Sequence, residues 1–156
     1  MVMHKISDKM ILFIAQGAYS GRSPFAPGTA GTVVGVLLYL LLMGLSAPVY
    51  GAACLIVIVL GTWAAGRADA LFGTKDNRTI VIDEIAGYLV SMLLVPATWQ
   101  YMTAAFFLFR FFDILKPFPL RRLERLPGGP GVMLDDIGAG IYSNIVLQVA
   151  VHFMGR

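Results

Sequence analysis

The sequence predicts an all-α fold: an integral-membrane helical bundle with a short N-terminal interfacial helix, about five membrane-embedded helices and short cytoplasmic loops. Three observations predict it. Hydrophobic residues make up 58% of the 156 residues and charged residues only 13%, with a mean hydropathy of +0.76, whereas a soluble domain carries about 25% charged residues. The stretch Val33–Ala65 holds no charge and exceeds the roughly 20 apolar residues that cross a bilayer. The acids and bases that do occur gather in three clusters, Asp76–Glu84, Arg110–Lys116 and Asp135–Asp136, which can all be placed on one membrane face. The length is that of one domain, residues 1–156, since domains commonly run to about 100–200 residues.

Taken in order, Lys5, Asp8 and Lys9 precede an apolar run at Met10–Ala15, the pattern of a short helix lying on the interface. That run lacks a cleavage site, so no removable signal peptide is expected. Gly21–Thr32 (GRSPFAPGTAGT) reads as a breaker-rich loop. Ser46-Ala47-Pro48 divides Val33–Ala65 into two spans. Ile85–Phe109 contains Pro96 followed by Ala-Thr-Trp-Gln, and fits either one kinked span or a hairpin of two short helices. The last span is expected from Ile137 to Met154. Cys54 sits within an apolar run as a small buried hydrophobe, and a single cysteine permits no internal disulfide.

Charge arbitrates the ambiguous stretch. Net charge is +3, and eight of the twelve Lys and Arg residues lie between Arg67 and Arg125. Beside apolar spans such a balance reads as topology and contact with anionic lipid, not as a nucleic-acid surface. A hairpin at Ile85–Phe109 keeps every basic loop cytoplasmic, leaving only Arg156 outside; a single crossing would break that rule. The hairpin is therefore expected. Its helices, at about 12 residues or 18 Å each, fall short of about 30 Å of hydrocarbon and would be re-entrant or shielded by their neighbours.

Asp83-Glu84 opens the expected hairpin and Asp135-Asp136 the last span, each followed by small residues, Ala86-Gly87 and Gly138-Ala139-Gly140. Acids in a first helical turn also serve as plain caps. Small residues, however, let backbones approach closely, and converging carboxylates repel without a cation. Hard oxygen ligands of this kind suit Mg²⁺ shared with a phosphate. Arg110, Asp113 and Lys116 follow at i, i+3 and i+6 before Pro117. They form either an ion-pair ladder or a metal ligand flanked by two phosphate-binding cations. Pro27–Thr32 could cradle an anion through its glycines, and Thr29 or Thr32 could equally be N-caps. Asp69 and Asp76 read as solvated loop residues, with Asp76 a second-tier ligand. Phe118, Leu120, Leu123 and Leu126 alternate with Arg121, Arg122 and Arg125 as an interfacial segment.

Elimination narrows the chemistry. The chain has no Cys followed six residues later by Arg, no Asp-x-Asp and no Asp-Gly, and His4 and His152 lie outside every cluster. What remains for a phosphate ester is metal-assisted attack by water, with a free carboxylate accepting its proton.

The segments SPFAPGTAGT (Ser23–Thr32), IVIDEIAGY (Ile80–Tyr88), FRFFDILKPFPLRRLER (Phe109–Arg125) and GGPGVMLDDIGAG (Gly128–Gly140) closely resemble the bacterial phosphatidylglycerophosphatase A family. The resemblance implies a multi-pass enzyme of the bacterial inner membrane, with its site on the cytoplasmic face and a requirement for Mg²⁺. The implied reaction removes the terminal phosphate of phosphatidylglycerophosphate, an anionic phospholipid, giving phosphatidylglycerol. Carried over by position, Asp83, Glu84, Asp113, Asp135 and Asp136 become the metal and catalytic carboxylates. Arg110 and Lys116 become phosphate contacts, with Thr29 and Thr32 in a supporting loop. A different class, a small transporter or ion-translocating protein using intramembrane carboxylates, is favoured by one feature, Pro96.

Overall fold

A computed structural model describes residues 2–75 and 77–154. Asp76 and Arg156 lie outside the described residues, as does the side chain of Lys5. The described chain is helical throughout, without a strand: α1 (Val2–Ala15), a 3₁₀ turn (Ser20–Arg22), α2 (Pro27–Leu42), α3 (Ala47–Phe72), α4 (Ile82–Ser91), α5 (Trp99–Leu115), α6 (Leu120–Leu123) and α7 (Gly129–Met154).

Proline and glycine set the boundaries. Pro27 and Pro48 stand in the first turns of α2 and α3, where a missing N–H costs nothing. Gly73 closes α3 in the left-handed conformation, its N–H bonded to the Asp69 carbonyl. The expected break at Ser46–Pro48 is present. Two boundaries differ from expectation. The segment Pro27–Thr32 is the first turn and a half of α2 and not a loop, and α7 begins at Gly129, eight residues before Ile137. Both starts are rich in glycine because they press against neighbouring backbone. A Cβ on Gly129 would collide with the Thr62 carbonyl, and one on Gly31 would meet the Val81 side chain.

Ile85–Phe109 is a hairpin. Glu84 at the start of α4 faces Arg110 near the end of α5, and the Tyr88 hydroxyl donates to the Met102 carbonyl at 3.1 Å. The two helices are therefore antiparallel, joined through residues 92–98. With 10 residues, α4 is only about 15 Å long and is buried among α2, α3 and α7. Its backbone packs directly against that of α7: a Cβ on Gly140 would strike the Gly87 carbonyl, and one on Gly87 would meet the Asp136 carbonyl at 2.7 Å.

Two helices, α3 and α7, are long and apolar enough to cross a membrane, and α2 is a shorter apolar helix. The outer surface is greasy. Leu55, Ile56, Val59, Leu60 and Trp63 face outward on α3, and Ile141, Ile145, Val149 and Phe153 on α7. The interior meanwhile holds Asp83, Asp135, Asp136, Thr32, Ser91 and Ser143. Apolar outside and polar inside is the arrangement a hydrocarbon solvent favours.

Candidate active site

The first turn of α4 is fixed from behind by the chain that follows α1. The Val81 N–H donates to the Ala15 carbonyl at 2.9 Å. The Gln16 side-chain amide donates to the Thr79 hydroxyl at 2.9 Å, and the Arg22 guanidinium donates to the Gln16 carbonyl oxygen at 2.8 Å. Gly21 leaves no room for a Cβ beside the Thr79 carbonyl. From the other side, Asp69 is buried on α3 and accepts the Asn77 backbone N–H at 3.1 Å. Asp69 is thus a structural anchor of the α3–α4 loop and not the solvated residue the sequence suggests.

Held this way, Asp83 and Glu84 project from α4 into a cavity of about 280 Å³, which Asp113, Asp135 and Asp136 also line. Five acids from three helices therefore share one space. Oxygens of Asp83, Glu84 and Asp136 all lie within 4.8 Å of one another, comparable with the about 4 Å between oxygens on opposite sides of a Mg²⁺ ion. Asp83 Oδ1, Glu84 Oε2, Asp135 Oδ1 and Asp136 Oδ2 are buried without a hydrogen-bond partner among the described residues. Capping does not explain them. Val81 is the N-cap of α4 with no side-chain cap bond, and Asp135 and Asp136 sit well inside α7 instead of opening it.

Cations line the same cavity. The Arg110 guanidinium donates to Asp113 and lies 3.8 Å from Glu84. Lys116 donates to Asp135 at 2.7 Å and pairs with Glu124 at 3.0 Å. Burial opposes the Lys116 charge, yet these two carboxylates outweigh it and raise the ammonium pKa above the ordinary lysine value. Lys116 also adopts a left-handed backbone directly before Pro117, as Ala26 does before Pro27. Both residues border the cavity, and a residue before proline is already restricted. The N-terminus of α2 brings Pro27 and Gly28 to the rim, where a Cβ on Gly28 would displace the Glu84 carboxylate beside the Arg110 guanidinium.

The structure thus brings together seven of the nine residues singled out from the sequence: the five acids, Arg110 and Lys116. Thr29 and Thr32 do not line the cavity, and neither is the N-cap of α2, which is Ala26. The buried Thr32 hydroxyl donates to the Gly28 carbonyl at 2.9 Å instead. One lining residue escapes sequence reasoning: Arg78, exposed at the rim, makes no ion pair among the described residues. Its place in a basic stretch beside Asp83-Glu84 was the available signal.

The family model for phosphatidylglycerophosphatase A matches residues 13–151. The chain belongs to the phosphatidylglycerophosphatase A family. Family relatives span nearly its whole length. A Haemophilus influenzae protein named phosphatidylglycerophosphatase A is 41% identical, covering 92% of this chain and 90% of its own. The Escherichia coli protein of the same name is 33% identical over 89% and 82%. A Bacteroides thetaiotaomicron protein, named "Putative phosphatidylinositol-3-phosphatase", is 40% identical over 92% and 95%. No solved structure matches the chain.

Proposed function

We propose that this protein hydrolyses the terminal phosphomonoester of phosphatidylglycerophosphate to phosphatidylglycerol and phosphate, working on the cytoplasmic face of the bacterial inner membrane with Mg²⁺ as cofactor. The observation that carries this reading is the buried trio Asp83, Glu84 and Asp136, with oxygens lacking donors beside Arg110 and Lys116, in a chain of this family. Those orphaned oxygens are hard, anionic and convergent, which fits a divalent cation. Asp83, Glu84 and Asp136 would hold it, with Asp113 and Asp135 within the same cavity. When bound there, Mg²⁺ supplies Lewis-acid polarisation of the phosphoryl oxygens and a lower pKa for the attacking water.

The chain itself does the rest. Arg110 offers a forked contact to phosphate oxygens, Lys116 a point charge and Arg78 a free cation at the mouth. The start of α2 adds the positive end of its dipole. A carboxylate of the cluster takes the proton of the attacking water as its oxygen bonds to phosphorus, while the P–O bond to the glycerol breaks and the leaving alkoxide takes a proton from water. Burial of the acids limits water to what the cavity admits.

Placement in the membrane follows from charge. Arg67, Lys75, Arg78, Lys116, Arg121, Arg122 and Arg125 stand at the cavity end of the bundle, tied across by a Lys75 bond to the Arg125 carbonyl. The turns at residues 43–46 and 92–98, at the other end, carry no charge. That asymmetry favours the cavity end inside, with α1 lying along the interface. Transport sites sit near the bilayer midplane at broken helices, whereas these acids cluster at one end, which favours surface chemistry.

Phosphate release by the purified protein from a panel of lipid phosphomonoesters, with and without Mg²⁺, tests the reading. Phosphatidylglycerophosphate should be the preferred substrate and a chelator should abolish turnover. Preference for phosphatidylinositol 3-phosphate would move the assignment toward the name carried by the Bacteroides relative, and undiminished turnover in chelator would remove the metal.

A further inference from the structure

A lipid phosphatase must seat more than a phosphate. We propose that the groove between α2 and α5 is the subsite for an acyl chain of the substrate, an inference that rests on the lipid-phosphatase reading above. The groove is a cleft of about 320 Å³ lined by Val33, Val36 and Leu40 of α2 and by Trp99, Thr103 and Phe106 of α5.

Its course is what identifies the occupant. On α5 the residues Trp99, Thr103, Phe106, Arg110 and Asp113 recur at spacings of four, three, four and three, so they form one stripe of the helix. The upper part of that stripe lines the charged cavity and the lower part lines the apolar groove. Along α2 the order is the same, with Gly28 at the cavity and Val33, Val36 and Leu40 following in the groove. The eleven helical steps from Trp99 to Arg110 cover about 16 Å, close to the depth of one leaflet, half of the about 30 Å hydrocarbon core. A molecule with its phosphate between Arg110 and Lys116 therefore has an apolar groove below it on the same stripe of α5, with its far end at Trp99 about one leaflet deep. The larger apolar cleft between α1, α2 and α3 does not offer this. It meets α4 at Ile82 and Ile85, on the side of that helix opposite Asp83 and Glu84.

The groove is open because α2 leans chiefly on α4 and only lightly on α5. Val33, Leu40 and Trp99 are exposed along it. An acyl chain entering sideways from the leaflet would cover them without leaving the hydrocarbon. The site would then read an amphiphile along its length, with charge at the top and methylenes below.

Filling the groove is the test. Val36→Trp and Thr103→Trp would each be assayed on phosphatidylglycerophosphate with long chains and on a short-chain form. The quantity read is the ratio of the two kcat/KM values, and a fall of about tenfold or more is expected. Val59→Trp, on the outer face of α3, should keep the wild-type ratio. An unchanged ratio in both groove variants would overturn the subsite while leaving the phosphatase reading intact. Wild-type protein that hydrolyses neither chain length would remove both. A second measurement does not depend on turnover or on either variant folding. In Trp63→Phe protein Trp99 is the one remaining tryptophan, and its fluorescence in detergent should be quenched saturably, near one lipid per chain, by substrate brominated on its acyl chains. Quenching that only follows bulk lipid, or none, would overturn the proposal.

Discussion

A buried carboxylate oxygen that meets no donor costs a folded chain stability, and the described residues include four such oxygens, on Asp83, Glu84, Asp135 and Asp136. Asp135 has Lys116 on its other oxygen, but the trio of Asp83, Glu84 and Asp136 is left mostly to itself. On the proposed reading the trio trades stability for a cation site, and Asp83→Asn separates the two. Phosphate release should fall at least about 100-fold, while the metal-free variant melts higher than metal-free wild type because like charges no longer crowd. Saturating Mg²⁺ should raise the wild-type melting temperature, by about 2.7 kcal/mol of stability at a hundred times the dissociation constant, and should raise that of the variant little. Thermal melts with and without Mg²⁺, alongside the phosphate assay, check all three. Retained turnover in Asp83→Asn would reduce the residue to a helix-start acid. These acids were legible in the sequence because a charge in so apolar a chain stands out. The places of Arg78 and Asp69 were not, since Arg78 read only as part of the charged stretch Asp76–Glu84 and Asp69 as a solvated loop residue. Only the packing shows one at the cavity mouth and the other buried against Asn77.

At the scale of elements, two glycines set how near α4 comes to α7 and so whether Asp83 and Asp136 share a site. Gly140→Ala drives a methyl group into the Gly87 carbonyl, backbone that cannot swing aside. An overpacking loss of about 1–3 kcal/mol is expected, together with lower turnover as the carboxylates separate. Gly51→Ala, within α3 and with open space around its Cα, should instead gain up to about 1 kcal/mol through helix propensity with turnover unaltered. Thermal unfolding in detergent distinguishes the pair, and equal effects from both would mean that propensity, not the close crossing, governs Gly140. The helices themselves were visible from apolar runs and from the breaks at Pro48 and Pro96. Their glycine-rich beginnings were not. In Pro27–Thr32 and Gly129–Gly131 the composition of a loop conceals a helix whose side chains are absent because a neighbour occupies their place. Composition reports local propensity, and here tertiary contact overrode it.

For the whole molecule the open choice between a kinked span and a hairpin settles which face the loops occupy. Because α4 and α5 return to the end they leave, Asn77 and Pro117 lie on one side and the turn at residues 92–98 lies on the other with residues 43–46. Basic side chains crowd the first side and are missing from the turns of the second, so the translocation rule and the helix geometry agree. In intact cells of a background with Cys54→Ala, a cysteine at Leu45 should react with a membrane-impermeant maleimide, and one at Lys75 or Arg121 should react only after the membrane is opened. The short length of α4, about 15 Å for its 10 residues, adds a stricter expectation. Cysteines at Ser91 and Leu94 should differ sharply, since Ser91 is fully buried while Leu94 is 69% exposed. A shielded half-helix leaves Ser91 inert from both faces, with Leu94 embedded in lipid or open to the far side. Reaction of the Lys75 and Arg121 cysteines from opposite faces would show that the stretch crosses once, and the carboxylates of α4 and α7 would then need another explanation for their convergence.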